Sequence, residues 1–374
     1  MRTPTPTTSS ELDRYAAALG SIATQPLEYC PDFPAICRRF DAWWNQACLD
    51  RPVFICAANA NPARPITKRL ELLDSPDAWL EAKLADLQQM HRVGDTLPMV
   101  RPDFGPVVLS GVFGGKVEFG ADTTWTHAYI NDDWRNAPDW RLDPDNPWWT
   151  KILRFSQLVA SHGKGKYVFQ TPNLGASADI LLNLRGSTEL CLDVVDQPER
   201  ILSAVDAIYP AWREATHRLF DLALAAGVGV THHTMTWAGL PHTPLECDFN
   251  YMIGQEDFER LFLPDIARQS ATLNRCVFHL DGPGAVKHLD ALLSVPSIQA
   301  IQYVPGGGTP SALPWVGMYR RIQAAGKSVQ IVCPAEEVLA LSRELKPEGV
   351  CYLASSSLPP AQLDQLFAEF RRQF

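Results

Sequence analysis

Short apolar runs, each followed by a segment with helical spacing, fill the C-terminal half of this chain and leave few folds open to it. The runs are 166–170, 228–233, 276–281, 298–304, 329–333 and 350–354. Alternation of this kind predicts an α/β fold with a parallel sheet covered by helices. Two further runs, 53–57 and 97–100, bring the predicted strands to eight. Eight such units predict a closed (β/α)8 TIM barrel, with an open doubly wound sheet as the competitor. In both folds the functional site lies beyond the carboxyl ends of the strands. His232, His233, His279, Asp281, Gln302, Cys333 and Ser355 stand at those ends. That placement predicts an enzyme.

The rest of the chain is organised around these units. Residues 1–35 read as an extended or disordered leader, because Met1 to Glu11 is rich in Pro, Thr and Ser. Residues 36–374 read as one domain that opens with a helical extension. Ile36, Phe40, Trp43 and Trp44 form its apolar stripe. Helices are expected over 76–92 and over 176–226, the latter with breaks near Gly186 and Pro198. Residues 104–150 are rich in Gly and Trp with little periodicity, and so long a segment predicts a lid inserted at the mouth. Gly306-Gly307-Gly308 follows a strand without the GK[ST] of a phosphate loop, so it is a weak candidate for one.

Composition narrows the function classes. The 374 residues are 46% apolar, enough for a large core, and carry a formal net charge of -9. Without any Lys/Arg run, this balance argues against nucleic acid as a partner. No apolar stretch reaches the roughly 18 residues of a membrane span. The nine cysteines are irregularly spaced and contain no CxxC, which predicts buried thiols in a reducing cytoplasm. The expected partner is a small molecule. The sequence leaves the oligomeric state open.

Individual residues carry alternatives. His279 and Asp281 lie two apart on a strand, so they share a face and can work together in proton transfer or metal binding. Asp281 could instead cap the Gly-Pro-Gly turn after it. Adjacent residues of a strand face opposite ways, so one of His232 and His233 enters the pocket and the other packs under a helix. Cys333 is a candidate soft ligand or a small buried hydrophobe. Gln302 suits substrate hydrogen bonding or loop capping. Asp103 reads as a catalytic carboxylate at the mouth or as the start of an Asx turn. Trp125 is a candidate wall of a substrate cleft, and Trp148 and Trp149 share that reading, with core packing as the alternative.

Cys247-Asp248-Phe249, Met252-Ile253 and the stretch from Asp257 to Pro264 resemble the helix entry shared by uroporphyrinogen decarboxylase and the corrinoid-dependent methyltransferases. His279-Leu280-Asp281-Gly282 resembles the strand-end H-x-C/D-G element of that superfamily. The resemblance covers roughly 165–374 and points to an uncharacterised uroporphyrinogen decarboxylase-like branch. It implies a TIM barrel that moves a methyl group between a small methylated compound and a corrinoid carried by a partner protein. It also implies zinc. The Arg-Gln-Ala-Gly-Arg-Tyr stretch of true decarboxylases is absent, and Asp281 replaces the first zinc-binding Cys. The late Cys is replaced by Ala354-Ser355-Ser356-Ser357. A zinc site would therefore be rebuilt from His279, Asp281 and Cys333, with Asp103, His279 and Asp281 as catalytic residues and His232, His233, Gln302 and Trp125 toward substrate. Two alternatives stand beside methyl transfer: decarboxylation of a small or tetrapyrrole acid, in which His279 or Asp281 protonates the carbanion, and binding without turnover.

Overall fold

The computed structural model describes residues 9–59, 74–119, 124–306 and 311–374. Its strands are β1 (Val53–Asn59), β2 (Met90–Gly94), β3 (Met99–Val100), β4 (Lys116–Phe119), β5 (Thr124–His127) and β6 (Val168–Gln170). They continue as β7 (Val230–Thr231), β8 (His242–Glu246), β9 (Arg275–Asp281), β10 (Ala300–Val304), β11 (Ser328–Pro334) and β12 (Val350–Ser355). The fold class is α/β. One sheet has the order β2-β1-β12-β11-β10-β9-β8, and a second has the order β3-β6-β7. Every pair in both is parallel except β1 with β2.

All eight expected strands form. β8 is an addition. Pro244 and the polar residues around it hide this strand in the sequence, yet its backbone pairs with β9 from His242–Arg275 to Glu246–His279. The last three residues of the expected helix 76–92 also change state, because the chain leaves the helix Pro76–Gln89 to form β2 against β1. The stretch 176–226 divides as expected, into helices Ser177–Arg185, Ser187–Asp196 and Pro198–Ala225.

The leader expectation fails within the described residues. Ser9–Ala23 is a helix that buries Tyr15 and Leu19. The Tyr15 ring stacks on Phe220, so the segment is held by apolar contacts its leading Pro and Thr residues do not advertise. Phe33–Trp44 then packs beneath the amino ends of the strands. The Trp43 indole donates to the carbonyl of Val329, and the Trp44 indole to that of Trp237. A buried ion pair fastens the start of β1: Arg51 donates to both oxygens of Asp95, which also accepts from the Phe54 amide at 3.0 Å.

Within 104–150 the described residues form a short helix, Leu109–Val112, and the β4–β5 hairpin. Val108 N donates to the carbonyl of Asn173, and Tyr129 N and Ile130 N donate to that of Leu184. The segment is thus laid along the loop after β6 and the helix Ser177–Arg185. Gly307 and Gly308 lie outside the described residues. No helix among the described residues is long and apolar enough to cross a membrane.

Candidate active site

Strand register builds the site. Glu246 pairs with His279, His279 with Gln302, Gln302 with Gln330, and Gln330 with Cys351. Register partners share a face of the sheet, so these five side chains form one row on the side away from the outer helices. Phe54 and Tyr352 mark the opposite face, because both pack on Phe370 of the C-terminal helix.

Hydrogen bonds run along this row and fix its polarity. Gln330 Nε2 donates to the backbone carbonyl of Thr234 at 2.9 Å. A carbonyl can only accept, so the Gln330 amide oxygen must face the other way. It accepts from Gln302 Nε2 at 2.6 Å. The Gln302 oxygen then faces His279 Nδ1. The chain therefore requires a proton on Nδ1, so that the neutral His279 ring has its lone pair on Nε2. Gln302 and Gln330 are both buried, so their amides hold this arrangement without competition from water.

One turn of alternation further on, Asp281 emerges on the same face as His279. The 3-10 turn Asp248–Met252 follows β8 and brings Asp248 to the pair. Asp248, His279 and Asp281 place one potential ligand atom each within 4.8 Å of one another. Asp179, on the helix Ser177–Arg185, accepts from the Asp248 amide at 2.8 Å and so anchors the turn. The Asp248 side chain reaches solvent at the open mouth, yet the protein around it still raises its pKa. Desolvation is the largest cause, opposed by His279 and reinforced by Asp281. Burial pushes Glu246 up to about 7, with the Asp248 charge adding to it and His279 opposing. Burial also drives Asp179 well above the carboxylate range.

The two adjacent histidines separate as alternation requires. His232 is consumed by structure: Nε2 faces the carbonyl of His242 at 2.7 Å and Nδ1 faces the Thr171 hydroxyl at 2.8 Å. His233 enters the site, its ring edge-on to His279 with centroids 5.7 Å apart. Both its ring nitrogens are buried without a hydrogen bond, and Nε2 stands 3.8 Å from the Glu246 carboxyl. Burial, then His279 and Arg101, lower its pKa. Asn173 donates to the other Glu246 oxygen at 3.2 Å.

Two expected residues, Cys333 and Trp125, lie elsewhere. Cys333 pairs in register with Ala354, which pairs with Cys56, on the Tyr352 face toward the helices. It is one residue out of phase with Gln330, so it points away from His279, and burial raises its thiol pKa. Trp125 sits on the β4–β5 hairpin with 63% of its surface exposed and forms no cleft wall. Asp103 takes the Asx-turn role, accepting from Gly105 N at 3.1 Å and from Arg101 at 2.9 Å. Trp148 and Trp149 pack with the core.

Glu246, Asp248, Asp179, Asn173 and Gln330 are the site residues that sequence reasoning missed. Asp248 did lie in a quoted motif, Cys247-Asp248-Phe249, but as a helix entry. Once β8 is recognised, Glu246 is its strand-end carboxylate.

No known protein-family model matches the chain, and no curated protein does. Among solved structures, a methyltransferase from Methanosarcina mazei superposes with a TM-score of 0.58 at 12% identity. The match covers 91% of this chain and 98% of that one. The chain shares that protein's fold.

Proposed function

We propose that this protein is a methyltransferase that moves a methyl group from a small methylated compound to a corrinoid carried by a partner protein. The reading rests on one observation: Asp248, His279 and Asp281 bring two carboxylates and a tautomer-fixed imidazole together at the strand ends. The shared fold with a methyltransferase supports it. So does the resemblance of the strand-end element His279-Leu280-Asp281-Gly282. In this reading the two sheets are arcs of one barrel. Asn173–Glu246 and His232–His242 link them across one seam.

The donor set fits a divalent cation such as zinc, with His279 Nε2 and one oxygen each from Asp248 and Asp281 as ligands and a position left for substrate. Asp248 takes the place expected for Cys333. A bound cation supplies Lewis acidity to the heteroatom that loses its methyl group. In a transfer to a corrinoid held by a partner, the heteroatom would keep the electron pair of the bond to its methyl group and so would need a proton. Glu246, in register with His279 and held by Asn173, is placed to give that heteroatom a proton. His233, whose Nε2 stands 3.8 Å from the Glu246 carboxyl, is placed to orient it. The segment 104–150, laid along the Asn173 loop, would cover the mouth.

Metal content and methylation of cob(I)alamin test the reading together. The purified protein should hold zinc stoichiometrically, and His279→Ala and Asp248→Asn should lose it. Methylcobalamin formation, followed by its visible spectrum with a panel of methylated ethers, amines and thioethers, should fall by about two to four orders of magnitude in His279→Ala and Asp281→Asn. A folded protein that takes up no divalent metal sinks the proposal.

A further inference from the structure

Beside the polar row, the same face of the sheet is largely apolar. Val332 pairs with Leu353 and Leu353 with Ile55, one alternation above Gln330 and Cys351. These residues line a cavity of about 400 Å³, together with Ala57, Met99 and Met235. Met235 neighbours Thr234, whose carbonyl anchors the amide chain to His279. The chamber therefore sits directly above that chain. Its volume lies in the range of small-molecule sites.

Of its few polar groups, Ser355 donates weakly to the carbonyl of Cys333 at 3.5 Å, and the other two are firmly engaged. The Thr96 hydroxyl donates to main-chain carbonyls and accepts from Cys56 N at 2.8 Å. Among the described residues, Arg92 is the one charged residue in the lining. Its terminal nitrogens donate to the carbonyls of Leu87 at 2.8 Å and Tyr29 at 2.9 Å, and burial lowers its pKa. At the ends of β8 and β9 of the same sheet stand the carboxyl groups of Glu246, Asp248 and Asp281. A carboxylate entering here would lose hydration and meet, among the described residues, no cation that is not already hydrogen-bonded, a costly transfer. An apolar body would gain roughly 25 cal/mol for each Å² it buries.

We infer that this chamber receives the uncharged, apolar body of the substrate, holding its methyl-bearing end toward His279 and Asp281. The inference deepens the methyl-transfer reading and rests on it for what the site does. It turns the choice of substrate away from polycarboxylic acids and toward neutral hydrophobic methyl compounds.

Methionine methyl groups report on it without any turnover. In protein labelled with ¹³C at the methionine methyls, toluene should shift Met90, Met99 and Met235, which line the chamber. Met252 and Met318, outside it, should stay in place and serve as internal controls. Benzoate has a similar ring but carries a charge, and it should shift none of them. Leu353→Trp should weaken toluene binding by about tenfold or more. If that variant does not fold, Ala57→Leu narrows the same space. Benzoate binding as tightly as toluene, or toluene leaving the three chamber methyls unmoved, overturns the inference. Toluene carries no metal-binding atom and is tested without added metal, so a failure of the metal reading leaves this result standing and a failure here leaves the metal result standing.

Discussion

The imidazole of His279 and the carboxamide of Gln302 face each other from adjacent parallel strands, Nδ1 against Oε1. Their pairing is not a local accident, because the Gln302 amide cannot rotate without breaking its bond to Gln330 at 2.6 Å. Gln330 in turn cannot rotate without turning an oxygen toward the Thr234 carbonyl. A main-chain acceptor three links away thus decides which nitrogen of His279 is free. Outer partners of metal-binding histidines act in this way, and losing one typically costs about 10–100-fold in metal affinity. Gln302→Leu should weaken zinc by that much while leaving the far-ultraviolet circular dichroism unchanged. In the metal-free wild type, ¹⁵N spectra of the His279 ring should show the Nδ1–H tautomer. An Nε2–H tautomer there would mean that the amide chain runs the other way.

How much of this was legible beforehand follows from what a strand pattern contains. An apolar run announces a strand, and the period of 2 places His279 and Asp281 on one face. The pattern within one strand carries no information on its register with the next. Cys333 stands at a strand end just as His279 does, and only the pairing of Gln302 with Gln330 reveals that it faces the helices. Glu246 was hidden for a different reason. β8 is short and holds Pro244, so its backbone pairing rather than its composition makes it a strand. Asp179 lies on a helix and reaches the site only through tertiary packing.

The anchor of β1 yields a stability prediction. Asp95 is fully buried, and removing it leaves Arg51 without its charge partner. Breaking a buried pair from one side costs about 3–5 kcal/mol. Arg39 also pairs with Asp50, whose side chain is half exposed, and such pairs are worth about 1 kcal/mol or less. Urea unfolding should therefore show Asp95→Ala to be far more damaging than Asp50→Ala. Equal effects would mean that the Asp95 pair contributes nothing beyond surface charge.

Acid should destabilise the fold through its buried histidines. Burial lowers the pKa of His242 from 6.5 to about 4. The unfolded chain therefore binds this proton more readily than the native protein between those values. Stability from His242 is fully present above pH 6.5 and is lost as pH falls toward 4, on the order of 3 kcal/mol in all. His232, packed edge-on against it at 4.7 Å, shifts in the same direction. Glu246 has the opposite sign, since its raised pKa makes the native state the better proton binder between 4.5 and about 7. Thermal unfolding across pH 4–8 should show a shallower acid loss in His242→Gln and a steeper one in Glu246→Gln. An unchanged acid limb in His242→Gln would show that its imidazole is already hydrated in the native state.

Cys333 offers the sharpest contrast between what its position in the sequence suggests and what its packing allows. It stands at a strand end beside Pro334, as a metal ligand would, but its side chain is buried on the helix side of the sheet near Tyr319 and Tyr352. Burial holds the thiol protonated, whereas metal binding requires the thiolate. Cys333→Ala should leave zinc stoichiometry and affinity untouched. It should lower stability by about 1 kcal/mol, the usual cost of removing one buried atom group from a packed layer. A charged thiol reagent should fail to modify Cys333 in the native protein and succeed after unfolding. Asp248→Ala, in the turn after β8 and three strands from β11, should do the reverse, abolishing zinc while leaving the unfolding midpoint nearly unchanged. If Cys333→Ala loses the metal instead, the ligand set is wrong and the strand must turn its other face to the site.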